Sequence, residues 1–116
     1  MSTKARYLFQ VSMDVAPDKE ALFNEVYDTE HVPYLLEVEG VISVTRARSV
    51  PFKVTIGGQV KDMPAGTPRY TALYTVASPE VLTSAAWAEA VERGRWAPQV
   101  RAHTFNRSHQ LMEIMD

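Results

Sequence analysis

Among the 116 residues of this chain there is no cysteine. Disulfides, thiolate nucleophiles and cysteine-based metal sites are therefore excluded. An excess of one charge is also missing: 12 Lys and Arg stand against 14 Asp and Glu, a formal net charge of −2. That balance creates no long-range field, so neither nucleic acid nor a membrane is expected as a partner. No run approaches the roughly 20 consecutive apolar residues that a membrane span requires. Glycine is scarce, with 5 residues, and none builds a phosphate-cradling loop. The 3 histidines include no H-x-x-x-H pair, so no metal and no cofactor is called for.

What is present is enough for a modest core. Hydrophobic residues make up 46% of the chain, and its length is close to the commonest for one domain, which predicts a single domain over 1–116. The polar start, Met1 to Arg6, leads directly into a strand-like run. That predicts no signal peptide and a cytoplasmic protein.

Tyr7 to Met13 alternates Tyr7, Phe9, Val11 and Met13 with Leu8, Gln10 and Ser12, the period of a strand. Pro17 marks a first helical turn, followed by an apolar stripe of Leu22, Phe23, Val26 and Tyr27. Pro33 should break or kink this helix at 29–33, because it removes the bond to Thr29. A short second piece is expected from Val32 to Glu37, stopped by Gly40.

Val41 to Ser49 reads as a second strand and Arg69 to Val76 as a third. Between them, Phe52, Val54, Ile56, Gly57-Gly58 and Val60 predict a two-residue β-hairpin, an excursion from the main sheet. Ser78-Pro79 should start a helix, with Ser78 as its N-cap, running to Arg93 and stopping at Gly94. Ala102 to Ile114 is expected to be the last strand.

The order β-α-β-β-α-β on one antiparallel sheet is the ferredoxin-like arrangement, an α+β fold with both helices on one face. The strands carry apolar or aromatic residues on both sides. A bare apolar face on so small a domain calls for a partner, and two sheets packed face to face would make a symmetric homodimer.

The stretch Phe23-Asn24-Glu25-Val26-Tyr27-Asp28-Thr29-Glu30-His31-Val32-Pro33, with Leu35-Leu36 and Glu39-Gly40-Val41, resembles the signature of the EthD-like proteins. These belong to the dimeric α+β barrel superfamily. The likeness is dense over residues 20–48, but Val26 stands where the signature has tryptophan, and the 51–68 excursion is longer than expected. The resemblance implies a homodimer with a small-molecule cavity between each sheet and its helices. It does not imply one reaction, since proteins on this scaffold include cofactor-free monooxygenases, polyketide cyclases, lactone isomerases and haem-binding proteins.

His31 is the first candidate for chemistry. It lies at the edge of the second helical piece, where exposed N–H groups favour a neutral imidazole, while Asp28 and Glu30 act in the opposite sense. A neutral imidazole suits a general base that removes a proton beside a carbonyl. Tyr27 or Tyr34, flanking the same kink, and Asn106 on the last strand would be hydrogen-bond donors to the developing oxyanion. Phe9, Tyr74, Trp87 and Trp96 would line an aromatic pocket for substrate. Arg46 and His103 complete the substrate-binding set, arginine because it matches an acidic group bidentately. His103 and His109 are six residues apart, on one face of a regular strand, unless a bulge exchanges the faces.

These residues predict a cofactor-independent acid/base enzyme of isomerase, cyclase or lyase type, acting on a small apolar or aromatic carbonyl compound. The rival readings are a non-catalytic binder of a hydrophobic metabolite and a cofactor-free oxygenase of a phenolic substrate.

Overall fold

The structure is a computed structural model that describes residues 6–115. The first five residues, on which the reading of the N-terminus rests, and Asp116 lie outside the described residues. The first strand, β1 (Tyr7–Val15), leads through a 3-10 turn at Pro17–Lys19 into α1 (Glu20–Val26). A wide π-helical turn, Tyr27–His31, joins α1 to α2 (Val32–Leu36). Strands β2 (Val41–Arg48), β3 (Phe52–Ile56), β4 (Gln59–Met63) and β5 (Tyr70–Val76) follow. Then come a 3-10 turn at Pro79–Thr83, α3 (Ala85–Glu92), a second π turn at Trp96–Val100, a 3-10 turn at Arg101–His103, and β6 (Thr104–Glu113).

The main sheet has the order β2-β5-β1-β6 with all neighbours antiparallel, as the ferredoxin-like expectation requires. Cross-strand pairs define its faces, because opposed residues point the same way. Val11 opposes both Ala72 and His109, and Val44 opposes Tyr74. This is the face that packs under the helices. Its buried residues Val11, Met13, Tyr70, Ala72, Tyr74 and Val76 meet Phe23, Val26, Tyr27, Leu35, Trp96 and Val100 from the helical layer.

The other face is less apolar than expected. It carries the hydroxyl pairs Ser12–Thr71 at 2.9 Å and Ser43–Thr75 at 2.5 Å, with Leu8, Leu73 and Met112 half-buried among them. Of the aromatic residues of this sheet, Tyr7, Phe9, Tyr70 and Tyr74 are on the helix side.

Three sequence expectations are corrected in the helices. Pro33 does not break the first helix; the chain widens into the π turn instead, and the N–H of Val32 reaches back five residues to the Tyr27 carbonyl. Ser78 makes no capping bond, and the first turn after it is 3-10. Ser84 caps α3, its Oγ accepting from Trp87 N at 3.1 Å. The last strand begins at Thr104, because the preceding residues coil through two helical turns that place Trp96 and Val100 in the core. Gly40, at φ 94°, ends the first helical run as expected and lies directly against Val81. Among the described residues, no helix is long and apolar enough to cross a membrane.

The hairpin forms as read. Gly57 and Gly58 have φ of 60° and 80°, the two positive values that a type I′ turn needs. It is a separate two-stranded sheet whose extensive contacts are within itself. The radius of gyration is 16.1 Å, against about 13 Å for a compact domain of this length, as a projecting arm requires. Phe52, Val54 and Ile56 share one face of the arm with Met63, and the opposite face carries the Lys53–Asp62 ion pair at 2.6 Å. Replacing residues 52–63 by two glycines should shift the melting temperature by less than about 4 °C, the displacement that ~1 kcal/mol causes at this size. Circular dichroism during thermal unfolding measures this, and a larger loss would mean that the arm supports the main sheet.

Candidate functional site

Between the helix-facing side of the sheet and the helical layer lies a cavity of about 250 Å³. Phe9, Val11 and Met13 of β1 and Tyr74 of β5 form its floor, and Trp87, Val91 and Trp96 form one wall. Tyr27, His31 and Leu35 descend from the first helical run. Arg101, Arg107 and His109 complete it.

The π turn explains how Tyr27 and His31 reach the same space. Residues four apart are neighbours on one helical face, and the π turn keeps the two side by side. Both are buried, and their rings meet edge to face with centroids 5.0 Å apart. Glu30 points the other way. Its carboxylate accepts from Arg95 N at 2.8 Å and from Arg95 Nε at 2.5 Å, and Glu25 adds a contact to the same guanidinium at 3.0 Å. This clamp carries the next residue, Trp96, onto His31, so the rings stack at 4.4 Å with an interplanar angle of 21°. Gly94 is required beside the clamp: its φ is 74°, and a Cβ there would collide with the Glu30 carboxylate and the Tyr34 ring.

His31 is 5% exposed, and among the described residues neither imidazole nitrogen has a hydrogen-bond partner; Nδ1 is fully enclosed. Burial, joined by the positive charges of Arg101 and Arg107 and only partly offset by Glu92, lowers its pKa to about 4. The opposing effects left open by the sequence are thereby settled. Asp28 is drawn to Arg46 at 2.8 Å and Glu30 to Arg95, so neither carboxylate compensates the imidazole. His31 is neutral at neutral pH, with one nitrogen able to accept and the other to donate.

Tyr27 and Tyr74 hydroxyls are 3.1 Å apart. Burial raises the pKa of both, so both stay protonated. One phenol donates to the other, which leaves a single phenolic proton for a third group.

Of the residues expected to handle substrate, Phe9, Tyr27, His31, Tyr74, Trp87 and Trp96 are gathered around this cavity. Four are not. Tyr34 faces α3, under the Arg93 guanidinium at 4.3 Å, because His31 and Leu35 take the inward positions of the helix. Asn106 donates to Asp14 Oδ2 at 2.9 Å and is exposed. His103 ends a helical turn rather than standing on the strand, and its carbonyl accepts from Ala16 N at 3.0 Å. Arg46 lies behind the Tyr27 ring, 4.4 Å from its centroid, and binds Asn24 and Asp28.

Arg107 and His109 were underrated because of a bulge. Ser12 opposes Ser108 but Asp14 opposes Phe105, so Asn106 and Arg107 share one partner position on β1. Asn106 takes φ 54°, a left-handed conformation that asparagine tolerates. The faces exchange at this point, sending Phe105 to the open side and Arg107 and His109 into the cavity. No sequence signal beyond an asparagine in a strand marks it. Among the described residues, no three His, Asp or Glu side chains gather to hold a metal.

An antiparallel ferredoxin-like sheet with an aromatic, histidine-bearing cavity under its helices defines an α+β small-pocket fold. No protein-family model and no curated protein matches the sequence. A solved structure is similar: an ethyl tert-butyl ether D (EthD) family protein from Bacillus halodurans, with a TM-score of 0.58. The likeness covers 94% of this chain and 99% of that one at 13% identity. The resemblance read from residues 23–41 is thus borne out at the level of the fold.

The depressed pKa of His31 makes stability depend on pH. Unfolded, His31 titrates near 6.5 and binds a proton that the folded state refuses down to about pH 4. Its contribution is complete above pH 6.5 and is lost as pH falls towards 4, to a total of about 3 kcal/mol. Glu30 and Glu92, held low by Arg95 and Arg101, lose their contributions only below pH 4.5. Urea unfolding between pH 7 and 5 should therefore show a decline that His31→Gln flattens, leaving the dependence of His109, whose pKa is also lowered by burial and by Arg107. An unchanged slope in the variant would place the imidazole in solvent.

Proposed function

We propose that this protein is a cofactor-independent acid/base enzyme of isomerase, cyclase or lyase type, with His31 as the general base. The observation that carries the reading is a buried neutral imidazole, without a partner on either nitrogen among the described residues, facing an aromatic cavity. An unpaired buried polar group costs about 1–3 kcal/mol. A ligand that bonds to it recovers that cost, which gives the position a reason to exist. The imidazole accepts a proton from the carbon beside a substrate carbonyl. The phenolic proton left over by the Tyr27–Tyr74 pair is donated to the oxygen on which negative charge develops. Tyrosines held protonated by burial suit that role at neutral pH, and Phe9, Trp87 and Trp96 hold the apolar body of the substrate. The EthD-type fold and the cavity's size agree with a metabolite below drug size.

The working molecule is, on this reading, a homodimer of single-domain protomers joined through the open sheet face, where Leu8, Leu73 and Met112 are only half-buried. Sedimentation equilibrium should give twice the 13.0 kDa chain mass, and a monomer at micromolar concentration would remove that part of the reading.

Proton abstraction is tested by deuterium wash-in from D2O, next to the carbonyl of enolisable aryl ketones such as α-tetralone and 3-benzoylpropionate. The wild type should accelerate exchange, and His31→Gln should lower the enzymatic rate by about 10²–10⁴-fold with a retained melting transition. Exchange that survives the substitution would exclude His31 as the base. Binding of these ketones without any exchange would favour the non-catalytic binder.

A further inference from the structure

The three arginines around the buried tyrosines and His31 differ in what they hold. Arg46 is spent on Asp28 at 2.8 Å and Asn24 at 2.9 Å. Arg101 binds both oxygens of Glu92, at 3.0 and 2.5 Å, and the Val91 carbonyl at 3.3 Å. Arg107 lines the cavity, and among the described residues its guanidinium has neither a hydrogen bond nor an ion pair. It reaches this place only because the bulge at Asn106 turns it from the open face of the sheet to the covered one. Bulges are a recurrent means of re-aiming one side chain beside a site, and a non-glycine residue at positive φ is a conformation that surrounding structure must hold in place.

We propose that Arg107 holds the carboxylate of an aromatic acid, whose ring lies between Phe9, Trp87 and Trp96 and whose reacting end meets His31. This inference rests on the cavity being the acid/base site described above, and it narrows the substrate from any small carbonyl compound to one carrying an acid group. A planar fork of five N–H donors matches a carboxylate in two parallel bonds, which a neutral ligand cannot reproduce. The walls next to it are aromatic: Phe9 and Trp87 meet edge to face at 5.9 Å, and Tyr74 and Trp87 at 5.5 Å. A flat ring packs between such faces and edges. At about 250 Å³, the space suits a one- or two-ring acid rather than a larger ligand.

An anion at Arg107 also changes the base. The charged and titratable groups facing His31 are Arg101, Glu92, Arg107 and His109, with Tyr27 and Tyr74 as protonated phenols. In the free protein burial, joined by the positive charges of Arg101 and Arg107, keeps the imidazole a weak base. A carboxylate on Arg107 answers one of the positive charges that lower the imidazole, so substrate binding itself acts to raise the basicity of His31.

Calorimetric titration of the full-length protein with 2-naphthoate and its uncharged isostere 2-naphthamide tests the proposal, with imidazole NMR reporting on His31. The acid should bind at least tenfold more tightly than the amide at low ionic strength. It should raise the pKa of His31, while the amide should not. Arg107→Met should bring the two ligands to equal affinity, and Arg107→Lys should restore part of the difference. Equal affinities in the wild type, with His31 signals perturbed by both ligands, would overturn the carboxylate assignment while the cavity remains a binding site. If neither ligand binds at millimolar concentration and His31 is unmoved, the cavity reading itself fails along with it.

Discussion

Proline 33 has no N–H to give to the Thr29 carbonyl, and the geometry of the helical layer follows from that lack. The helix widens by one residue between Tyr27 and His31 instead of stopping. Thr29 turns its own hydroxyl back to the Glu25 carbonyl at 2.7 Å, so the loosened turn remains internally bonded. The widening puts two polar aromatic residues, Tyr27 and His31, inside and leaves the carboxylates of Asp28 and Glu30 outside. The Glu30 carboxylate then fastens the Gly94-Arg95 turn and so determines where Trp96 lies. One missing hydrogen bond thus governs both the imidazole and the indole stacked upon it.

The resulting site is expensive for a small domain. A buried imidazole with no hydrogen-bond partner among the described residues opposes stability, as does the burial of two phenols that share one bond. Folded chains keep such features where ligand binding needs them. The surrounding aromatic contacts offset the cost: Phe23, Tyr27, His31 and Trp96 form a continuous set of rings at 4.4–6.0 Å. Arg46 covers the outer side of this set, 5.3 Å from the Phe23 ring. Electrostatic asymmetry is sharp across a few ångströms, because the acidic residues of the π turn are bound outward while Arg101 and Arg107 line the cavity.

Much of the architecture was legible in the sequence. Alternation along 7–13 and 70–76, Gly40 as a helix stop and the Gly57-Gly58 turn are local signals, and each corresponds to a local physical need. Phe9, Tyr74 and Trp87 converge because they lie on regular strands and a helix face, where periodicity fixes direction, and Tyr27, His31 and Trp96 turn inward although they sit in the π turns. Of the remainder, Arg46 stands on a regular strand but is taken up by Asn24 and Asp28, and the other three failed where regularity fails. Tyr34 was misplaced because the π turn rotates everything after it, and Asn106 because it is the bulge itself. His103 sits in helical turns that interrupt what reads as a long strand. Ser84 was passed over as a cap because Ser78-Pro79 is the stronger local pattern, though it opens only a 3-10 turn that ends at Thr83. Arg107 became visible only once the pairing of β1 with β6 was known.

The arm at 52–63 closes its own ladder, from Phe52–Met63 at the base to Ile56–Gln59 at the tip. Adding or removing one residue on each strand would move the tip without altering any bond of the main sheet. Arm length and pocket chemistry are therefore separately heritable. Descendants of one ancestral chain can diverge in how far they reach while keeping the same interior, and gaps in this segment, when related sequences are aligned, measure reach rather than kinship.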